Sequence, residues 1–182
     1  MKKVSFLLGL IVLFTSCSQT LEEKMNHKFS ALQETAELGT VEYTIKKIIK
    51  ANDETFYTVG DRKILMSCRA TMKAGIDLAK FNGDSVIINE EMKSVALTLP
   101  KPEILAFNLP AEAIKLEYEK VGTFRYGFTA EERNNLLKQG EEVILADAAN
   151  LGILKDAEVN ARLFFESLLR QVGFENINIE FK

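Results

Sequence analysis

The stretch Lys63-Ile64-Leu65-Met66-Ser67-Cys68-Arg69-Ala70-Thr71-Met72-Lys73-Ala74-Gly75-Ile76-Asp77-Leu78 decides the fold. Every even position from Ile64 to Leu78 is apolar. Between them stand Lys63, Ser67, Arg69, Thr71, Lys73 and Asp77, with only Leu65 and Gly75 breaking the polarity. Successive side chains of a strand point to opposite faces, so a period of two predicts a long strand with one buried and one wet face. One wet face is characteristic of an antiparallel sheet. Gly75, inside so long a run, is expected to mark a bulge or bend.

The flanks extend the pattern. Val41, Tyr43, Ile45 and Ile49 alternate with Glu42, Thr44, Lys46 and Lys50, a second half-buried strand, and Asn52-Asp53-Glu54 is a turn cluster. Residues 20–38 carry Leu21, Met25, Phe29, Leu32 and Ala36 at helical spacing, with Gly39 placed as the stop. On the other side, Asn82-Gly83-Asp84 is a turn signal. Ser85–Asn89 and Lys93–Leu99 read as strands around Glu90-Glu91, closed by Pro100 and Pro102, which cannot donate to a ladder.

Ile104–Leu109 and Ile114–Val121 follow as strands, with Leu105, Phe107 and Leu109 on one face and Leu116 and Tyr118 on another. Thr129-Ala130-Glu131-Glu132 fits a capping box opening a helix whose stripe is Leu136, Leu137, Gly140, Val143, Ile144 and Ala148. After Gly152, a second helix over 154–172 turns Ala157, Ala161, Phe164, Phe165, Leu168 and Leu169 inward. Gly173 ends it, with Phe174 placed for the accompanying apolar contact. Ile177, Ile179 and Phe181 alternate in a last strand. The expected class is α+β: a mainly antiparallel sheet, an N-terminal helix, and a C-terminal helix pair packed against the sheet before a closing strand.

Composition bounds the function. The chain has 182 residues, a formal charge of −3, 47% hydrophobic residues, two cysteines and one histidine. That is a globular composition of one-domain size. The acidic balance argues against nucleic acid as a partner. So few Cys and His rule out a disulfide framework and argue against a structural zinc site.

The front end is a targeting segment. Lys2 and Lys3 precede an eleven-residue apolar run, Val4–Phe14, too short to cross a bilayer of about 30 Å. Phe14-Thr15-Ser16-Cys17 resembles the lipobox of bacterial lipoproteins, although Phe14 stands where Leu is usual. That resemblance implies cleavage between Ser16 and Cys17 and acylation of Cys17. Acyl chains anchor by about 0.8 kcal/mol per buried CH₂. Loss of residues 1–16 takes the formal charge from −3 to −5 over the 166 residues that remain. An acidic body is not expected to hold an anionic lipid surface by charge, which leaves that task to the lipid. Ser18 in place of an aspartate favours the outer membrane, again by resemblance. The expected organisation is a signal peptide over 1–16, a tether and helix over 17–39, and one α+β domain over 40–182.

No phosphate loop, nucleophile elbow or metal motif is present in the sequence. Cys68 lies on the apolar face of the long strand, where a thiol is a small hydrophobe with a raised pKa. A redox or intermolecular disulfide role would need that face open. His27 falls on the polar side of its helix. Glu90-Glu91, Glu131-Glu132 and Glu141-Glu142 read as solvated pairs. Ser67, Arg69, Thr71 and Lys73 share one strand face, where a small anion could sit. No cofactor, metal or catalytic residue is expected.

Two segments carry a wider resemblance. Lys73-Ala74-Gly75-Ile76-Asp77-Leu78-Ala79-Lys80 and Leu97-Thr98-Leu99-Pro100-Lys101-Pro102-Glu103-Ile104-Leu105 resemble an uncharacterised bacterial family, domain of unknown function 4230. The likeness covers about residues 40–181, with Gly75, Asp77, Pro100, Pro102 and Glu103 as motif positions of unknown role. It implies an envelope protein and transfers no activity. A fainter likeness, to band-7 domains, implies membrane-associated scaffolding. The expected function is therefore a non-enzymatic envelope lipoprotein. It would be held in the bilayer through acylated Cys17, face the periplasm and bind or scaffold a partner protein of the envelope. A small-ligand carrier is the alternative.

Overall fold

A computed structural model describes residues 20–53, 60–81, 85–148 and 150–182. Helix α1 spans Leu21–Gln33. Strands β1 (Glu37–Asp53) and β2 (Arg62–Asp77) follow, then β3 (Val86–Asn89), β4 (Ser94–Leu99), β5 (Glu103–Asn108) and β6 (Ile114–Val121). Helices α2 (Ala130–Ala148) and α3 (Ile153–Val172) precede the last strand, β7 (Asn176–Phe181). The fold is α+β, as the alternation and stripe patterns predict.

The strands divide between two sheets. In the larger, β1 and β2 form a long antiparallel ribbon, and β5 and β6 both pair with the other side of β2, one near each end. In the smaller, β3 and β4 form an antiparallel hairpin, and β7 joins β4 in parallel. Antiparallel pairing dominates, but it is not one continuous sheet. The prolines at 100 and 102 interrupt the ladder between β4 and β5.

The two C-terminal helices lie in tandem along one face of the ribbon. Gly140 packs on Ile49, Lys47 Nζ donates to Asp147 at 2.5 Å, and the Tyr43 hydroxyl donates to Asp156 at 2.5 Å. The Thr40 hydroxyl reaches the Ala157 carbonyl, and Asn160 Nδ2 donates to the Thr40 carbonyl. Helix numbers rise as β1 numbers fall, so the helices run antiparallel to β1. The core is accordingly strung along β2 in three groups. Ile64 and Met66 meet Phe128, Leu136 and Leu137. Cys68 to Ala74 meet Ile144, Ala148, Ile153 and Ala157. Ile76 and Leu78 join Ala161, Phe165 and Leu169 of α3 and the inner face of the small sheet.

Several local expectations are corrected. Helix α1 ends at Gln33 rather than near residue 38, because Ala36 turns the chain with φ +57° and Gly39 is already a β1 residue. The helix set apart as a tether buries Met25 and Phe29 in the main core. Asn52 and Asp53 are strand residues. The turn signals at Glu54 and at 82–84 lie outside the described residues, as do Ser16 and Cys17.

A bulge between Lys73 and Ala74 makes Leu105 the extra residue, so Ile104, not Leu105, joins Phe107 and Leu109 against the helices. Val143 and Phe164 are exposed, since Gly140, Ile144 and Ala148 on α2 and Phe165 on α3 take the inward positions. The capping box at Thr129 forms with both reciprocal bonds to Glu132. At Gly173 (φ +120°), the Phe174 N–H donates to the Leu169 carbonyl and the Phe174 ring is buried, as that helix-end signal predicts.

Candidate functional site

The motif positions converge where the two sheets meet. Gly75 is paired on both sides, to Gly39 of β1 and to Glu103 of β5. A Cβ there would overlap the Leu38 carbonyl oxygen and stand 2.8 Å from Gly39 Cα, so only glycine fits. Bulges flank it on both neighbours, making Thr40 and Leu105 the extra residues. Asp77 accepts from the Ala79 N–H at 2.9 Å and caps the single turn Leu78–Lys80. That turn aims Lys80 Nζ at Glu103, 2.5 Å away, with Asp77 at 3.4 Å.

Pro100 and Pro102 flank Lys101, whose N–H donates to the Lys182 carbonyl at 3.1 Å and ties the loop to the end of β7. An open groove of about 360 Å³ lies beside this junction, lined by Lys80, Thr98, Pro100, Lys101, Glu103 and Lys182 among others. The side-chain bond to Glu103 raises the Lys80 ammonium above its ordinary pKa. A lysine held charged in this way is a poor general base or nucleophile near neutrality. The Lys80–Glu103 pair joins the turn after β2 to β5, at one end of the larger sheet.

A match to the family described as Protein of unknown function (DUF4230) runs over residues 30–179, nearly all of the described fold. The chain belongs to the DUF4230 family. No curated protein and no solved structure matches it. The DUF4230 match takes in strands of both sheets, both C-terminal helices and only the last turn of α1.

Elsewhere in this DUF4230 domain, Cys68 is 1% exposed, and its thiol faces the Lys47 carbonyl at 3.6 Å. Burial raises its pKa, which starves it of thiolate. His27 is exposed. Among the described residues, no group of three or more His, Cys, Asp or Glu is arranged to hold a metal. No described helix is long and apolar enough to cross a membrane.

The strongest ionic cluster lies at the far end of the ribbon. Arg62 bonds Asp53 at 2.5 Å, grips both Glu132 oxygens at 2.8 and 3.2 Å, and covers the Phe128 ring at 4.6 Å. Arg125 joins it at Asp53, 2.6 Å away. The bond from Arg62 pulls the Glu132 carboxyl down to about 2. This cluster ties both ribbon strands, the loop before α2 and the first turn of α2 together.

The face of the ribbon away from the helices is open. Lys46 pairs with Arg69, and Ser67 stands between Ile48 of β1 and Lys115 of β6. Further out, Leu65 stands between Lys50 of β1 and Tyr118 of β6, and Lys63 between Asn52 and Lys120. The sequence places Ser67 on a wet strand face, yet it is only 5% exposed. Glu117, the extra residue of a bulge in β6, folds over it and accepts its hydroxyl at 2.5 Å. The expected polar cluster survives only in part, because Lys73 pairs with Glu42 at 3.6 Å.

A groove with a polar rim and an exposed apolar helix face lie elsewhere. A groove of about 390 Å³ runs beneath α1, lined by Met25, Phe29, Phe81, Val86 and Ile88 with Asn26 and Gln33 at its rim. On α3, Val159, Leu163 and Phe164 are exposed, Leu163 to 59%, while Ala157, Ala161 and Phe165 on the same helix are fully buried.

Proposed function

We propose that this DUF4230 protein is a lipid-anchored envelope scaffold that binds a protein partner rather than turning over a substrate. The observation that carries this reading is the apolar stripe Val159–Leu163–Phe164, left in solvent on a helix whose other side is fully packed. Apolar side chains grouped on one surface are a common mark of a protein contact. The lipobox supports the membrane side. Cys17 stands three residues before the helix cap Thr20, so an acyl anchor there would hold the domain within about 10 Å of chain from the surface. The motif positions support a non-enzymatic reading through their work in the sheet junction.

The test is capture of the intact protein, crosslinked in the cell, from envelope extract. A stoichiometric partner is expected, lost on Leu163→Lys. A protein that stays monomeric and alone with several crosslinkers would sink the reading. Cys17→Ser is expected to release the chain into the soluble fraction after a high-salt wash.

The groove beneath α1 favours a second reading, a small-ligand carrier. Native mass spectrometry of the purified protein would then show a retained molecule. A clean apo mass with no thermal shift across a metabolite panel would dismiss it.

A further inference from the structure

Beyond the Lys73–Glu42 pair, the two faces of the ribbon treat their cations differently. On the helix side, Lys47 is matched by Asp147, Arg62 by Asp53 and Glu132, and Arg133 of α2 by Glu119 of β6. On the open side, no ion pair among the described residues holds Lys46, Lys50, Arg69, Lys115 or Lys120. These five cations stand within four cross-strand rows, in which Glu117 is the one carboxylate among the described residues. Two rows set like charges directly opposite: Lys46 faces Arg69, and Lys63 faces Lys120. Directly opposed like charges destabilise a sheet. They are concentrated here in a chain of net charge −3. Apolar side chains stand among them, with Ile48 53% and Tyr118 48% exposed.

We propose that this open face docks on an anionic lipid bilayer surface. Lysine and arginine near such a surface are each attracted by the anionic headgroups. Tyr118 and Ile48, an aromatic with a polar tip and a short aliphatic side chain, suit the headgroup boundary. The patch spans about 20 Å along the strands and about 10 Å across them, small enough for strand twist to leave it facing one way. The choice of a bilayer among polyanions rests on the membrane-anchored reading above. The expectation that an acidic chain leaves membrane contact to its lipid is thereby modified: the charge is segregated, and one face is basic.

The test uses the full chain carrying Cys17→Ser, so that no acyl chain contributes. Co-sedimentation with vesicles of phosphatidylglycerol mixed into phosphatidylcholine is compared with phosphatidylcholine alone. Binding only to the anionic vesicles, weakened by salt, is expected. Adding Lys46→Gln with Arg69→Gln should weaken it about 25-fold. That pair removes a like-charge contact, so the variant should melt no lower than its parent. The control, Lys138→Gln with Lys155→Gln, makes the same charge change on the helix side and should bind nearly as its parent does.

Equal loss in both variants, or no binding to anionic vesicles, would overturn the proposal. Retention on polyglutamate without vesicle binding would overturn the bilayer as the occupant. None of these results touches the anchor itself. The anchor fails separately, if the wild-type protein carries no acyl chain.

Discussion

Gly75 and Leu38 meet backbone to backbone. The α-carbon of one lies so near the carbonyl oxygen of the other that no β-carbon could be inserted between them. This approach lets β1 and β5 close on β2 from both sides while bulges change the alternation next to it. Gly75→Ala is expected to lower the unfolding free energy by about 2 kcal/mol or more, since overpacked backbone must shift as a whole. Gly39→Ala, with open space at its β-carbon, should be nearly neutral. Urea midpoints of the two variants check this; equal midpoints would contradict it.

The Arg62–Glu132 bond should appear in the acid limb of the stability curve. Glu132 has its carboxyl lowered from 4.5 to about 2 by Arg62. Its contribution is then complete above about pH 4.5 and is lost as pH falls toward 2, because the unfolded chain takes up the proton first. Glu132→Gln should therefore be less stable than wild type at pH 6, with the gap closing by pH 2. A gap independent of pH would show that the pair does not titrate with folding.

Cys68 should be inert while the protein is folded. Its thiol is buried on the helix side of β2, with its pKa raised by loss of solvent. A thiol reagent at pH 8 should label it only after unfolding. Cys68→Ser should cost about 1–3 kcal/mol, for a hydroxyl buried with few partners. Labelling of the native protein at the rate of an exposed thiol would restore the redox reading.

Much of this architecture is legible from period alone. The even positions of β2 from Ile64 onward are buried, the odd positions of β1 from Val41 onward are the half-buried ones, and the bounds of β6 follow from its apolar residues. The Thr129 cap and the Gly173 stop are local chemistry, and both form as local rules demand. What periodicity does not carry is a bulge: one extra residue exchanges Leu105 for Ile104 and turns Glu117 over Ser67.

Helix ends and helix faces fail for a similar reason. A stop at Gly39 is what the glycine signals, whereas the chain turns three residues earlier, at Ala36, which takes positive φ. Phe164 and Val143 are apolar but turn outward, because Gly140, Ile144 and Ala148 on α2 and Phe165 on α3 take the inward positions. The basic patch needs the pairing register of β1, β2 and β6, which no single strand specifies. Lys46 and Arg69 look like ordinary solvated charges until the register sets them opposite each other.

We propose that acylated Cys17 holds this DUF4230 chain at the envelope. Intact-mass spectrometry of the protein extracted from membranes tests it most directly. A chain beginning at Cys17 and carrying the added mass of a diacylglycerol and an amide-linked acyl group is expected. A chain that keeps residues 1–16, or one that begins at an unmodified Cys17, would contradict it.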